Sequence, residues 1–301
     1  MHNWKKLSQQ DIQSRVELAL SENVDFRKGK FLGVPASHLD SSVFYSDAPF
    51  LKDAPYMTTM VANPNHIGCH TLGESEEFFK GTHKIEQELI KICAEDILKG
   101  KSNAQDGYVA SGGTEANIQA VWMYRNYFVN ELGASLDEIG IVCSVDTHYA
   151  VYKAANLLGL DVFQVEVNEE RNINASTIDN TLNRVKAKGV RYVIVLANMA
   201  TTMFGSVDSV DLYVEHLQKN QLKFKIHVDG AFGGFIYPFT TKNNELTFEN
   251  EHISSFTLDA HKLAQAPYGT GIFLCRKGLL EYVFTKGGSI CSWTRYNFNR
   301  E

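Results

Sequence analysis

The sequence predicts an α/β chain built on a doubly wound, mostly parallel sheet. Three observations carry this. Short, nearly continuous β-branched runs recur between residues 107 and 275, as expected for strands covered on both faces. Stretches of helical period lie between several of them. Polar clusters fall where the runs end, which is where such sheets bind ligands.

Taken in order, residues 1–55 hold Gly33, Pro35, Pro49 and Pro55 with little periodicity and read as a helix followed by an extended arm. From Lys84, the spacing of Ile85, Leu89, Ile92, Cys93 and Ile97 predicts an amphipathic helix to about Lys99. The predicted strands are GYVAS (107–111), IGIVCSV (139–145), DVFQVEV (161–167), RYVIVLAN (191–198), FKIHVD (224–229), ISSFTLD (253–259) and GIFLC (271–275). Helices are predicted over 114–130, 148–158, 176–188 and 209–220. The large domain is expected to run from 56 to 286. Residues 287–301, GGSICSWTRYNFNRE, show no helix or strand pattern and read as an aberrant tail.

Composition narrows the function classes. At 301 residues and 44% hydrophobic, the chain can bury a large core. A net charge of −6 and a pI near 5.9 argue against a nucleic-acid or anionic-membrane partner. The polar N-terminus carries no secretory pattern, and no segment has the roughly 20 apolar residues that span a bilayer. A soluble, cytoplasmic protein is expected. Its five cysteines, Cys69, Cys93, Cys143, Cys275 and Cys291, are odd in number and widely spaced, which fits reduced, inert thiols and no metal site.

Three strand ends carry the chemistry. Ser111-Gly112-Gly113-Thr114-Glu115-Ala116-Asn117 runs from a strand through two glycines into a helix. Glycine permits close approach of an anion, and the first N–H groups of the helix point at it, so a phosphate suits the place. The spacing is neither the Walker pattern nor G-x-G-x-x-G, and an ordinary strand-to-helix turn remains an equal alternative.

His227-Val228-Asp229-Gly230-Ala231-Phe232-Gly233-Gly234 places an acid at the end of a buried strand, where an ionised carboxylate needs a partner. A protonated pyridine nitrogen is one; a helix N-cap or a magnesium ion are the alternatives, the latter weakened without a Walker A loop. Thr257-Leu258-Asp259-Ala260-His261-Lys262 sets a lysine just past another strand end. Lone lysines are usually solvated. This one follows Asp229 by 33 residues, one strand–helix excursion, which returns the chain beside that acid. An amine in a crowded pocket suits Schiff-base chemistry. His148, past the strand at 139–145, is placed either to stack on a ring or to serve a structural role.

In order and spacing, F-K-G-T (79–82), S-G-G-T-E-A-N (111–117), D-T-H (146–148), H-V-D-G-A-F-G-G (227–234) and D-A-H-K (259–262) resemble the group II pyridoxal-phosphate decarboxylases, over roughly residues 55–285. That family includes glutamate, tyrosine and aromatic amino-acid decarboxylases and has the fold-type-I architecture. The resemblance implies pyridoxal 5'-phosphate as cofactor, a Schiff base on Lys262, Asp229 at the pyridinium nitrogen and His148 stacked on the ring. It implies Ala231 on the other ring face, Gly113, Thr114 and His261 at the phosphate with Asp259 near it, and Thr202 at the ring's polar edge. Asn65 and His66, in Asn63-Pro64-Asn65-His66-Ile67-Gly68, match the segment lining the substrate pocket. Gly230 departs from the alanine usual there.

The activity implied is decarboxylation of an L-amino acid to its amine, in a homodimer. Transamination or carbon–sulfur lysis on the same fold, and an inactive cofactor-binding remnant, are the alternatives. Relatives continue past the lysine into a small C-terminal domain bearing a carboxylate-binding arginine and a loop tyrosine, whereas 39 residues follow Lys262 here. The family carries a segment of the form G-x-D-x-T-L-x-G-S-R, and Ser292–Glu301 can be back-translated and shifted by one base to A-G-L-D-I-T-L-T-G. The expectation is a frameshifted tail and a truncated decarboxylase whose small domain is missing and whose activity is reduced or lost.

Overall fold

The computed structural model describes residues 5–23, 79–240 and 245–283. Contacts divide the chain into two compact units, residues 1–88 with 289–301, and residues 89–288. The expected boundary near 55, the pair Asn65 and His66, Cys69, Cys291 and the tail 287–301 lie outside the described residues.

In the first unit, helix α1 (Gln9–Glu22) begins in a capping box: the Ser8 hydroxyl accepts from the Asp11 N–H, and the Asp11 carboxylate accepts from the Ser8 N–H. Just beyond its end, Asn23 Oδ1 accepts from the N–H groups of Gly81 and Thr82 at 2.8 and 3.2 Å. These belong to the opening turn of helix α2 (Lys80–Lys91). A Cβ at Gly81 would fall 1.7 Å from the Ala19 carbonyl oxygen, so only glycine allows this approach. The Phe79–Thr82 motif is thus used to pack one helix against another.

The second unit holds a seven-stranded sheet in the order β1-β7-β6-β5-β4-β2-β3. The strands are β1 (Gln105–Ala110), β2 (Ile139–Ser144), β3 (Asp161–Val165), β4 (Tyr192–Asn198), β5 (Lys223–Gly230), β6 (Ile253–Asp259) and β7 (Gly271–Arg276). Only β7 runs against the rest; it pairs antiparallel with both β1 and β6. Helices α3 (Gly113–Leu132), α4 (Ala150–Leu158), α5 (Ala175–Ala187) and α6 (Val210–Lys219) fill the connections. Each predicted strand and helix is found, with ends shifted by a few residues. The long helix predicted to Lys99 leaves α geometry: after α2 the chain continues as a π-helical turn over Ile92–Ile97.

Both faces of the sheet are covered, as the unbroken apolar runs require. Along β4, Val193, Val195 and Ala197 enter one core cluster with Val214, Leu217, Ile226 and Phe256. The alternate residues Ile194 and Leu196 enter the other, with Tyr124, Phe128, Ile141 and Phe273. Cys93, Cys143 and Cys275 are buried free thiols; burial pushes the first two up to about 12 and raises the third well above its ordinary value, which leaves them unreactive.

Beyond β4 the chain turns back on itself at the functional edge. The Asp208 carboxylate accepts from both the backbone N–H and the side-chain amide of Asn198, at 2.9 and 2.7 Å. Ala200 adopts φ +60° within this turn, and a Met199–Val207 bridge closes it. Burial pushes the Asp208 carboxyl up to about 7. The folded chain therefore keeps this proton to near neutrality, whereas the unfolded chain releases it near the ordinary 3.8. The stabilisation from Asp208 is complete below about pH 4 and lost as pH rises toward 7. Asp208→Asn should remove this loss. In denaturant unfolding its stability relative to wild type is expected to rise by up to about 1.4 kcal/mol per pH unit between 4 and 7; a pH-independent difference would contradict the assignment.

Candidate functional site

Five strand ends and the start of β7 meet at one edge of the sheet. Asp229 is the next-to-last residue of β5, and its register partners are Asn198 on β4 and Thr257 on β6. The residue is 8% exposed. Its Oδ1 accepts from the Ala231 N–H at 3.0 Å and its Oδ2 from the Asn117 amide at 2.7 Å. Burial pushes the carboxyl above its ordinary value and outweighs the two donors and the nearby charge of Lys262, which pull it down.

β6 ends in Asp259, and the next residues form a loop tied at its neck: the Ala260 N–H donates to the Thr270 carbonyl at 2.9 Å and the Ala266 N–H to that of Ala260 at 3.0 Å. Lys262 lies inside this neck with Nζ 3.1 Å from Asp259 Oδ2, the oxygen that also stands 3.7 Å from His261 Nε2. The carboxylate of Asp259 is thus the counter-charge of the lysine.

Across the cleft, β1 leads through Ser111 and Gly112 into α3. Close packing dictates the glycines. A Cβ at Gly113 would stand 2.9 Å from Asp259 Oδ2 and 3.0 Å from the Ala231 Cβ, and one at Gly271 would strike the Gly112 backbone at 2.5 Å. The first N–H groups of α3 open toward the cleft, with no carbonyl of their own helix to bond. Past β2, His148 Nδ1 accepts from the Ala150 N–H at 3.2 Å, and its ring sits 4.1 Å from that of Tyr149.

Gly113, Thr114, His148, Thr202, Asp229, Ala231, Asp259, His261 and Lys262 all line one cleft of about 710 Å³. Sequence reasoning did not single out Asn117, which touches Asp229, or the side chains at the mouth: Tyr149, Met203 and Tyr268, the last 93% exposed. Only Asn117 had a visible signal, its place in S-G-G-T-E-A-N.

Residues 82–282 match the pyridoxal-dependent decarboxylase conserved domain. The chain belongs to that family. It is 48% identical to the tryptophan decarboxylase of Clostridium sporogenes over 95% of this chain and 69% of that protein. A probable L-tyrosine/L-aspartate decarboxylase of Methanothrix thermoacetophila is 32% identical, over 75% of this chain and 57% of the relative. The chain therefore spans between about half and two thirds of these relatives' lengths. Among solved structures, L-methionine decarboxylase from a Streptomyces species superposes with a TM-score of 0.61 at 18% identity, over 91% of this chain and 68% of that one. The glutamate decarboxylase domain of a Vibrio parahaemolyticus enzyme gives 0.61 at 20%, over 92% and 69%. At such identities these two speak for the fold.

The family's cofactor is pyridoxal 5'-phosphate, and the residues present fit it. Asp259 Oδ1 and His261 Nδ1 are buried without a hydrogen-bond partner, beside the glycine turn at the start of α3. The turn and the helix N-terminus offer a place for a phosphate, and the bare Gly113 lets the turn pack against Asp259 and Ala231. An amine and a carboxylate line the same cleft, and the volume suits a molecule of this size. Gly113→Ala, whose methyl would press on the buried Asp259 and Ala231, is expected to lower the melting temperature and to weaken cofactor binding at least tenfold in a fluorescence titration. Unchanged affinity would show that the turn does not carry the phosphate.

Proposed function

We propose that this chain is the cofactor-binding part of an L-amino-acid decarboxylase that takes an aromatic substrate, tryptophan first. The observation that carries the chemistry is one cleft holding the Lys262 amine, the Asp229 carboxylate and the α3 N-terminus. The substrate class is drawn from the Clostridium sporogenes tryptophan decarboxylase, and the apolar mouth formed by Tyr149, Met203 and Tyr268 supports it. When bound, pyridoxal phosphate supplies the electron sink for loss of carbon dioxide.

The chain's own residues do the rest. Lys262 provides the amine that anchors the cofactor, and Asp259 holds that amine in place beforehand. Gly113 and Thr114, with the N-terminus of α3 and His261, would hold the phosphate. Asp229 would accept from the ring nitrogen and keep it protonated. His148 and Ala231 would pack on the ring, and Thr202 would border its polar edge. Asn65 and His66 belong to the substrate side in this reading.

The reading extends to a cytoplasmic homodimer with no nucleic-acid or membrane partner. The acidic balance supports the absence of a nucleic-acid partner; among the described residues no helix is long and apolar enough to cross a membrane. A division into an arm to residue 55, a large domain to 286 and a frameshifted tail belongs to the same proposal. The coding DNA tests the tail directly: codons for 292–301 that cannot yield the family peptide one base forward would exclude it.

The deciding experiment is borohydride reduction of the full chain with pyridoxal phosphate, followed by peptide mapping. The label is expected on Lys262 and should vanish in Lys262→Ala; a label elsewhere would overturn the assignment. Amine release is then followed with L-tryptophan, L-tyrosine and L-glutamate, with tryptamine expected as the fastest product. Faster turnover of L-glutamate would overturn the aromatic preference.

A further inference from the structure

Asp229 is the end of a longer line of buried polar atoms. Its Oδ2 accepts from Asn117 Nδ2 at 2.7 Å. Asn117 Oδ1 lies 2.9 Å from His227 Nε2, and His227 Nδ1 lies 2.7 Å from Ser255 Oγ. Ser255 Oγ in turn bonds the hydroxyl of Tyr124. His227, Ser255 and Tyr124 have no exposed surface, and Asn117 has almost none. The line joins α3, β5 and β6. It arises because His227 and Asp229, two apart on β5, face the same helix, while the register sets Ser255 beside His227.

Chemistry gives this line a direction. An ionised Asp229 can only accept, so the Asn117 amide must present its NH2 group to it; the flipped amide would set oxygen against oxygen. Asn117 Oδ1 then needs a donor, which makes His227 Nε2 the protonated nitrogen; Thr257 Oγ1, 3.0 Å away, shares that proton. The imidazole is neutral, because burial pushes its pKa down to about 3. Its Nδ1 must therefore accept from the Ser255 hydroxyl, which accepts from Tyr124 in turn. Every donor points toward Asp229.

We infer that Asn117 and His227 are positioning residues, which hold Asp229 as an anionic acceptor turned toward the ring nitrogen of the cofactor. The inference rests on the reading of Asp229 given above. Burial alone would favour a neutral carboxyl at this strand end. With Asp229 ionised every member of the line is satisfied, and the line fixes the rotation of the carboxylate by occupying Oδ2 while the Ala231 N–H occupies Oδ1. His227 touches neither cofactor nor substrate in this arrangement; it acts through Asn117.

The test uses the full chain with 15N-labelled pyridoxal phosphate and reads two quantities, the dissociation constant and the NMR shift of the ring nitrogen. Wild type and Asp229→Asn are compared first. If the two share the protonated-ring shift, the reading of Asp229 itself has failed, and the inference with it. If they differ, the inference is judged on its own variants. His227→Leu and Asn117→Leu are expected to bind the cofactor at least tenfold more weakly and to move the ring-nitrogen shift toward the unprotonated value. His227→Gln, whose amide N–H can stand in for Nε2–H, is expected to stay within threefold of wild type with the shift restored. A purely structural role would lower the melting temperature of all three and leave the shift untouched. Should His227→Leu fail to fold, Asn117→Leu, which keeps the branched shape but removes both polar atoms, decides alone: wild-type affinity and shift in that variant would overturn the inference.

Discussion

Asp229 is next to last on the central strand of a fully covered sheet, and an ionised carboxylate there is costly unless its surroundings offset the loss of water. Much of the second unit answers to that requirement. The parallel run of β4, β5 and β6 brings the acid to the open edge without exposing it to bulk solvent. Two fixed donors, from the Ala231 backbone and the Asn117 amide, occupy its oxygens. The nearby Lys262 amine lowers its cost further. The acid is therefore stable only as one part of a set whose members come from α3, β5 and β6, and displacement of any one of them would be felt at this carboxylate.

The same economy of space shapes the other side of the cleft. Gly113 and Gly271 are positions where neighbouring groups come within 3 Å of a would-be Cβ. They let α3 begin directly over Asp259 and let β7 pass under the turn that precedes the helix. β7 is the one reversed strand, and its reversal matters: its first residue, not its last, lies at the functional edge, paired to both Ala110 and Asp259. The turn that leads into α3 and the loop that bears Lys262 are thereby held by a common strand.

Much of this was legible in the sequence, because local signals suffice for strands and helices. β-Branched runs such as YVIVLAN mark strands buried on both faces, and the motifs mark the ends where polar groups must gather. Other features leave no local trace. The π-helical turn at Ile92–Ile97 keeps the apolar spacing of an α-helix, so periodicity alone extends the helix through it. The direction of β7 is invisible because an alternating or apolar run reads the same either way. The bond between Asn117 and His227 joins residues 110 apart and depends on how α3 lies across β5. His227 stood in a motif, but its neighbours Ser255 and Tyr124 carry no pattern of their own. The exposed side chains at the cleft mouth were likewise hidden, since exposure is decided by packing and not by residue type.

The neck of the loop after β6 has a consequence for how this fold can diversify. Its base is tied by two backbone bonds, so the main chain at Lys262 is registered to the sheet, and Asp259 holds the amine. Residues 263–265 and 267–269 lie between the tied residues, and Tyr268 among them is turned to solvent. Residues there can be exchanged, lengthened or shortened without moving the anchor, as long as the tie closes. Attachment of the cofactor and the character of the entrance are thereby separable within one loop, and drift can retune the second while selection holds the first constant.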